Sequence, residues 1–388
     1  MPATRPLAES RAALMNAFDA AHPVQRRREL RGRDEQLEAM FDGVLYQRKH
    51  AIVHGARGSG KTSLVRVFAD HADRQGAVLI YLACDAHTDF AGLMRPFISF
   101  IPAGNIPAGR ERAFRAQADA LGSDFGPRAL VSMLVGLAPK PIIFILDEFD
   151  RISDRGVQDA LATTMKLLSD AKAPVQLLVV GIGQSVAELI EHHPSLRRHM
   201  IAVPVNRIAD SEITKLIDDG AAQARIAFAP EAAVLLAKAA CGSPYHARLF
   251  AYHAGLAGLN EDGETISQSA AATGIRRAVD EWGRMNEADH DLFIRLATNS
   301  SSRSALMSTA QLAAREQWVV PERSDVDCSD ALTVLAPALE GENGRSRFRD
   351  SLAPQFLIGT LLVSQIDEMV TSYQRNTALK AGMREALQ

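Results

Sequence analysis

The chain has 388 residues, of which 47% are hydrophobic, and its formal net charge at pH 7 is −3. This length predicts two or three domains, and the near-neutral charge excludes a globally basic surface, so that any nucleic-acid contact would need a local patch. Three widely separated cysteines favour neither a disulfide framework nor a zinc site, and no apolar run reaches the roughly 18 residues of a membrane span, so we expect a cytoplasmic protein with no membrane partner.

An amphipathic helix is predicted near the N-terminus, over residues 7–22. Its apolar stripe consists of Leu7, Ala8, Leu14, Met15 and Phe18. Packing against its own chain is the favoured interpretation, and a partner-binding or transit role is the alternative. We interpret residues 1–28 as an N-terminal helical extension.

A phosphate-binding loop follows the strand predicted at Ala51–His54. The template G-x-x-x-x-G-K-S/T is filled at every fixed position by Gly55-Ala56-Arg57-Gly58-Ser59-Gly60-Lys61-Thr62. The glycines let successive N–H groups point at phosphate oxygens, Lys61 reaches the terminal phosphates, and the Thr62 hydroxyl ligates magnesium. A helix predicted over Thr62–His71, with Ser63 in its first turn, adds its positive dipole end. The loop therefore predicts a bound nucleoside triphosphate with Mg²⁺.

Five strand-like runs alternate with helical stretches between residues 51 and 205. They are Ala51–His54, Ala77–Ala83, Ile142–Leu146, Gln176–Val180 and Ile201–Val205. This alternation predicts an α/β fold with a P-loop parallel sheet sandwiched by helices, and such sheets bind ligands at the carboxyl ends of their strands. The stretch 100–141 is longer than a crossover needs, so it is either a partner-contacting loop or, as we favour, variable decoration.

Two acids end the third predicted strand. Asp147 and Glu148 follow the buried run Pro141-Ile142-Ile143-Phe144-Ile145-Leu146. Asp147 is expected to hold Mg²⁺ directly or through water, and Glu148 to orient or deprotonate the attacking water. Together with Lys61 and Thr62, the pair predicts nucleoside triphosphate hydrolysis.

The remainder of the chain is predicted to be mostly helical. A small helical domain begins after Pro204, and its first two helices lie between Asp210 and Cys241. Helices at about 287–298, 306–316 and 329–339 precede a turn at 342–345 and a short strand, which together favour a winged-helix domain. A closing helix is predicted near 352–387.

The strand of the predicted wing carries alternate arginines. Arg345, Arg347 and Arg349 share one face, where they could meet the phosphates of duplex DNA. The preceding helices offer few cations, and Asp325 and Asp327 lie in this region. A protein-contacting or regulatory winged helix is therefore favoured over a DNA reader.

In these motifs the chain resembles AAA+ ATPases of the initiator-like and STAND-like groups. The segment Leu30-Arg31-Gly32-Arg33-Asp34-Glu35 resembles the one that begins these domains and packs near the adenine, so the resemblance implies a nucleotide-binding role for Arg33. The phosphate loop and the pair Asp147-Glu148 match the family pattern in full. The resemblance implies an AAA+ domain over 29–208, a helical lid domain over 209–275 and a winged-helix domain over 276–388.

The resemblance also implies sensor and finger residues. Gln184 occupies the position of the polar sensor, where Asn is more usual. One of Arg197 and Arg198 would be an arginine finger for a neighbouring subunit, and surface charge is the alternative. Arg248, after the segment Gly242-Ser243-Pro244, would be the lid arginine that senses the γ-phosphate, and a structural arginine is the alternative.

These expectations lead to one main hypothesis and two competitors. The main hypothesis is an ATPase whose ATP- and ADP-dependent lid movement switches conformation or assembly with a protein partner, with a nucleotide-dependent homo-oligomer as an option. The first competitor is an initiator- or transposition-type ATPase that loads a partner on duplex DNA. The second is a nucleotide-binding scaffold without turnover. The preference for adenine depends on the resemblance alone.

Overall fold

The computed structural model describes residues 6–182, 194–259, 265–299, 302–316, 319, 328–342 and 345–385. These residues form two compact units. The sheet unit comprises Pro23–Ala56 and the described residues from Gly60 to Asn206. The helical unit comprises the described residues up to His22, the short segment Arg57–Ser59 and the described residues from Arg207 onward.

Helices make up most of the described chain. They are α1 (Leu7–Ala17), α2 (Asp34–Met40), α3 (Lys61–Arg74), α4 (Phe90–Ser99), α5 (Glu111–Ala120), α6 (Pro127–Leu134), α7 (Arg155–Asp170), α8 (Asp210–Ala224), α9 (Pro230–Ala240), α10 (Pro244–Leu259), α11 (Gln268–Gly283), α12 (Glu287–Ala297), α13 (Arg303–Glu316), α14 (Ser329–Leu335) and α15 (Ala353–Glu385). The predicted excursion over 100–141 contains α5 and α6. No helix among the described residues is long and apolar enough to cross a membrane.

A five-stranded parallel sheet forms the centre of the sheet unit. Its strands are β1 (His50–His54), β2 (Val78–Ala83), β3 (Ile142–Asp147), β4 (Val175–Gly181) and β5 (Met200–Pro204). Their spatial order is β2-β3-β4-β1-β5, and every pairing is parallel. All five strand predictions are confirmed to within one residue at each end. The α/β fold class is confirmed as well.

Separate hydrophobic clusters cover the two faces of the sheet. Ile143 and Ile145 belong to the cluster that includes Phe68 of α3, whereas Phe144 belongs to the cluster that includes Phe97 of α4. The rings of Phe97 and Phe144 stack with their centroids 4.7 Å apart. Since successive strand residues point to opposite faces, a continuous aliphatic run such as β3 is what a sheet buried on both sides requires.

A buried histidine fixes the start of β1. His50 is 1% exposed, its Nδ1 accepts from the N–H of Leu177 in β4 at 2.9 Å, and its Nε2 lies 2.8 Å from the carbonyl oxygen of Met165 in α7. Because Nδ1 accepts, the ring proton is on Nε2 and donates to Met165. Burial lowers the pKa of His50 to about 4, so the neutral ring ties β1, β4 and α7 together at pH 7.

The N-terminal helix packs inside the helical unit. The ring of Phe18 lies against Gly220 of α8, where a Cβ would come within 2.4 Å of it. Leu14 lies against Gly255 of α10, where a Cβ would come within 2.6 Å. The structure therefore has the intrachain packing that the sequence favoured for this helix, through Leu14 and Phe18, whereas Leu7 and Met15 of the predicted stripe are exposed.

The C-terminal part of the helical unit is built around stacked aromatic rings. Trp282 stacks on Phe293 and on Phe356, with centroids 5.6 and 4.8 Å apart. Two short strands pair in parallel, β6 (Ala227–Phe228) with β7 (Thr265–Ile266), and an antiparallel hairpin joins β8 (Leu339–Glu342) to β9 (Arg345–Phe348). The three helices and the short strand predicted here are present as α12, α13, α14 and β9.

Candidate nucleotide-binding site

The phosphate loop connects the carboxyl end of β1 to α3. The N–H of Gly55 donates to the carbonyl of Gly181 in β4 at 3.3 Å, and this bond fixes where the loop departs from the sheet. Gly58 and Gly60 have φ values of 73° and 93°, a left-handed conformation that any side chain would strain. The backbone therefore requires glycine at positions 58 and 60, and α3 begins directly after them at Lys61.

Lys61 lies against its own loop. Its Nζ donates to the carbonyl oxygens of Gly55 and Ala56, both at 2.9 Å. The ammonium group is therefore held at the loop, close to the backbone that phosphate oxygens would contact. Thr62 follows in the first turn of α3, and the dipole of this helix adds partial positive charge.

The two predicted magnesium ligands meet at the carboxyl end of β3. The Thr62 hydroxyl donates to Oδ2 of Asp147 at 3.1 Å, and Asp147 is 6% exposed. Two oxygen ligands side by side are the kind of donor set that Mg²⁺ takes from P-loop proteins. The sequence placed these residues 85 positions apart, and the fold brings their side chains into contact.

Tyr81 of β2 is a site residue that the sequence analysis missed. Its hydroxyl donates to Oδ2 of Asp147, and burial followed by this hydrogen bond raises the pKa of Tyr81. The β2–β3 register pairs Tyr81 with Ile145, so Tyr81 lies on the same face as Asp147, two residues further along β3. The order of the strands was the missing signal, since only neighbouring strands bring these side chains together. The guanidinium of Arg66 lies 4.7 Å from the centre of the Tyr81 ring.

Glu148 has an unusual backbone and an ion-pair partner. Its φ is 56°, in the left-handed region, and its N–H donates to Oδ1 of Asp147 at 2.8 Å. Its carboxylate pairs with Nε of Arg151 at 2.9 Å, and both side chains are about half exposed. A strained backbone at a polar residue beside a phosphate loop is typical of a functional position. Arg151 had no role in the sequence analysis.

The tip of the phosphate loop, Arg57–Ser59, has contacts within the helical unit. The Ser243 hydroxyl, next to the start of α10, donates to the carbonyl of Gly58 at 3.2 Å. A Cβ at Gly58 would come within 3.1 Å of Ser243 Oγ and 3.4 Å of Tyr245 Cβ. The segment that was predicted to open the lid helix therefore touches the loop tip directly.

The remaining predicted nucleotide-binding residues have structural contacts. Arg33 is 3% exposed, it donates to the carbonyl of Asn206, and burial lowers its pKa to about 10, so it is still charged at pH 7. The hydroxyl of Ser63 accepts from the N–H of Val24 at 3.2 Å. Arg248 of α10 reaches the carbonyl of Ala17 at 3.4 Å within the helical unit.

The predicted sensor and finger residues lie in the segment before β5. Gln184 lies outside the described residues. Arg197 and Arg198 are exposed and end a helical turn, Pro194–Arg198, immediately before β5. Within the described part of the chain, no group of three or more His, Cys, Asp or Glu side chains could hold a metal ion.

The comparisons with known proteins agree with this geometry. Residues 26–180 match the AAA ATPase domain family, and this segment is shorter than half of the chain. No curated protein matches the sequence. Among solved structures, the Walker-type ATPase paby2304 of Pyrococcus abyssi has a TM-score of 0.51 and 14% identity, and the match covers 88% of this chain and 99% of that chain. At such identity the likeness shows the fold alone.

Two further structures have lower TM-scores. Cdc6p from Pyrobaculum aerophilum has a TM-score of 0.48 and 16% identity, with coverage of 90% of this chain and 98% of that chain. The RuvB Holliday junction branch migration motor of Thermotoga maritima has 0.46 and 14%, with 84% and 95% covered. The five-stranded parallel sheet with helices on both faces is the fold that this chain shares with the Walker-type ATPase. The match to the AAA ATPase domain family over residues 26–180 includes the phosphate loop and Asp147.

Proposed function

We propose that this protein binds ATP with Mg²⁺ and hydrolyses it, and that nucleotide state switches its conformation. The observation that carries the proposal is the contact between Thr62 and Asp147, because it unites the two halves of a triphosphate site at the end of the sheet. Thr62 and Asp147 would hold Mg²⁺, which neutralises charge on the phosphates when it is bound.

Each residue of the site has a role that its position supports. The loop N–H groups and the Lys61 ammonium would bind the phosphates, replacing the bonds from Lys61 to Gly55 and Ala56. Tyr81 would hold the Asp147 carboxylate in one orientation. Glu148 would accept a proton from the attacking water once its carboxylate leaves Arg151, as a general base does.

The contact between Ser243 and Gly58 suggests how the nucleotide state reaches the helical lid, residues 209–275. Phosphate binding changes the environment of the loop carbonyls, and one of these accepts directly from Ser243 beside α10. Arg248, one turn further along α10, would sense the γ-phosphate. Different affinities of ATP and ADP for two lid conformations would then shift their populations.

We assign residues 276–388 to a winged-helix domain that contacts a protein partner. Helices α12, α13 and α14 precede the β8–β9 hairpin, which fits this architecture. Arg347 pairs with Glu340, and Arg349 lies 3.3 Å from Asp289 and also donates to the carbonyl of Pro337. Two of the three wing arginines are thus neutralised within the chain, which disfavours the alternative of a duplex-DNA loader.

We further propose a cytoplasmic protein that assembles with other copies of itself when ATP is bound. One of Arg197 and Arg198 would be the finger that reaches the site of a neighbouring copy, and both are exposed as such a role requires. Gln184 would be the sensor, and Arg33 would contribute to the nucleotide site from its buried position near Asn206.

The central test is the substitution Glu148→Gln, compared with Glu111→Gln on the exposed start of α5. We expect Glu148→Gln to retain ATP binding and to lose about 100-fold or more of the turnover rate, because a general base contributes at least that much. Unchanged turnover would contradict the hydrolytic assignment.

The Glu148→Gln protein, loaded with ATP that it cannot hydrolyse, is also the form in which to measure binding to duplex DNA. A duplex affinity that falls steeply with salt would support the DNA alternative, and no binding at low salt would remove it.

A further inference from the structure

A cavity lies at the amino ends of β1, β4 and β5, which are adjacent in the sheet. Its volume is about 610 Å³, within the range of ordinary small-molecule sites. Its walls come from four chain segments within 47–50, 135–139, 168–176 and 198–199. The phosphate loop follows the opposite end of β1, so a strand length of about 16 Å separates the two sites.

The charge of this cavity is strongly one-sided. Arg48, Lys49, Lys172 and Arg198 line it, and none of the lining residues is acidic. Within the described part of the chain, none of these four cations forms an ion pair. Asp170 lies 3.7 Å from His199, which also lines the cavity. Four cations that line one cavity without carboxylates suit an anionic ligand.

A buried amide provides a second, independent indication of a ligand. Gln176 of β4 also lines the cavity and is 2% exposed, and its Oε1 has no hydrogen-bond partner among the described residues. A buried carbonyl oxygen without a donor costs folding free energy unless something else supplies the donor. Because Gln176 lines the cavity, a rotation of its amide towards the cavity would let this oxygen accept from an N–H or O–H group of a bound molecule.

The rest of the wall is apolar. Val135, Leu137 and Pro139 contribute one side, and Leu168 and Val175 contribute to the other. This combination of cations, one amide acceptor and an apolar wall matches a ligand with a charged end and a flat or apolar body. Ligand sites commonly pair an apolar lining with a few placed polar groups.

We propose that this cavity binds a small phosphorylated molecule of nucleotide size. Its phosphate would contact Arg48, Lys172 and Arg198, its body would lie on the apolar wall, and an N–H donor would satisfy Oε1 of Gln176. The proposal does not depend on the ATPase activity, because no residue of the phosphate loop lines the cavity. It also separates the two candidate finger residues, since Arg198 lines this cavity and Arg197 does not.

The test measures binding of two probes to the full chain carrying Lys61→Ala, which disables the phosphate loop. Cytidine 5′-monophosphate has a phosphate and an amino donor, whereas pyrophosphate has phosphate alone. We expect both probes to bind by calorimetry. Arg48→Asn and Lys172→Asn should each weaken both probes about tenfold, because each removes a charged hydrogen bond. Asn suits these positions, whose φ values are 57° and 51°.

Gln176→Leu should weaken cytidine 5′-monophosphate about tenfold and leave pyrophosphate unchanged. The matched control is Arg112→Ala, which removes an exposed cation from α5 and should change neither probe. Absence of binding, or binding that Arg48→Asn and Lys172→Asn do not alter, would overturn the proposal. If pyrophosphate binds and cytidine 5′-monophosphate does not, the proposal that the ligand has the size of a nucleotide is wrong. If Gln176→Leu prevents folding, Arg48→Asn and Lys172→Asn still test whether the probes bind in this cavity.

Discussion

The two ends of the five-stranded sheet carry sites of different construction. At the carboxyl ends, eight consecutive residues from Gly55 to Thr62 form the phosphate loop, and Asp147 completes it. At the amino ends, Arg48, Lys172 and Arg198 come from three separate connections. The phosphate loop of the first site is one continuous stretch of sequence, whereas the second site exists only because the fold places three strand starts side by side. A contiguous motif can be recognised without a structure, whereas an assembled cavity cannot.

The two ends also differ in what presents the charge. The phosphate loop uses backbone N–H groups whose directions are fixed by left-handed glycines, so little order has to be imposed when a phosphate binds. The amino-end cavity uses long, exposed cationic side chains, which must be ordered on binding and which salt screens. We therefore expect tight binding at the loop and weaker, salt-sensitive binding at the cavity.

The largest effect that would test this comparison comes from Lys61→Ala. It removes the cation that contacts Gly55 and Ala56, and we expect ATP affinity to fall at least about 100-fold, since several charged hydrogen bonds are lost. Calorimetric titration with ATP measures the change, with Lys166→Ala on the exposed face of α7 as the control. Binding of cytidine 5′-monophosphate at the opposite end should survive. If it were lost in parallel, the two ends would not be independent sites.

The second prediction concerns the histidine that anchors the start of β1. The pKa of His50 is about 4 in the folded chain and 6.5 when the ring is free, so the unfolded state binds the proton first. The contribution of His50 to stability is therefore fully present above about pH 6.5, and it is lost progressively as the pH falls towards 4. Between pH 7 and pH 5 we expect a loss of about 2 kcal/mol in the local opening free energy of β4.

Amide hydrogen exchange of the peptide that covers β4 measures this loss, after correction for intrinsic exchange rates. The N–H of Leu177 is the direct reporter, because it donates to His50. In His50→Gln, which can still donate and accept, the dependence on pH should vanish, and His87→Asn in an exposed loop should leave it intact. An unchanged pH dependence in His50→Gln would show that another group causes it.

Sequence patterns predicted the sheet because each strand is an aliphatic run bounded by polar residues, and this local signal survives in the fold. They predicted Thr62 and Asp147 because both lie in recognisable motifs. They missed Tyr81, whose role follows from the pairing of β2 with β3, and pairing is a long-range property of the chain. They also missed the Gln176 cavity, since a buried amide in a strand has no local pattern.

The third prediction concerns that missed tyrosine. Tyr81→Phe removes only the hydroxyl that donates to Asp147, and the ring keeps its place beside Arg66. We expect the Mg²⁺ concentration for half-maximal turnover to rise about tenfold, as is usual when a residue that orients a metal ligand is lost. Steady-state ATPase rates over a magnesium titration measure it. Tyr46→Phe, which is exposed, is the control, and an equal effect there would remove the positioning role of Tyr81.

The smallest predicted effect comes from Arg151→Ala. The ion pair with Glu148 is about half exposed on both sides, so it is worth less than about 1 kcal/mol and can restrain the carboxylate only weakly. If hydrolysis requires Glu148 to leave Arg151, removing the arginine should raise kcat about twofold to fivefold. The KM for ATP should stay unchanged, because Arg151 belongs neither to the phosphate loop nor to the Thr62–Asp147 pair. Arg155→Ala, at the start of α7, provides an exposed control. A fall in kcat would instead mean that Arg151 holds Glu148 in its working orientation, and the left-handed backbone at Glu148 would then belong to the active arrangement.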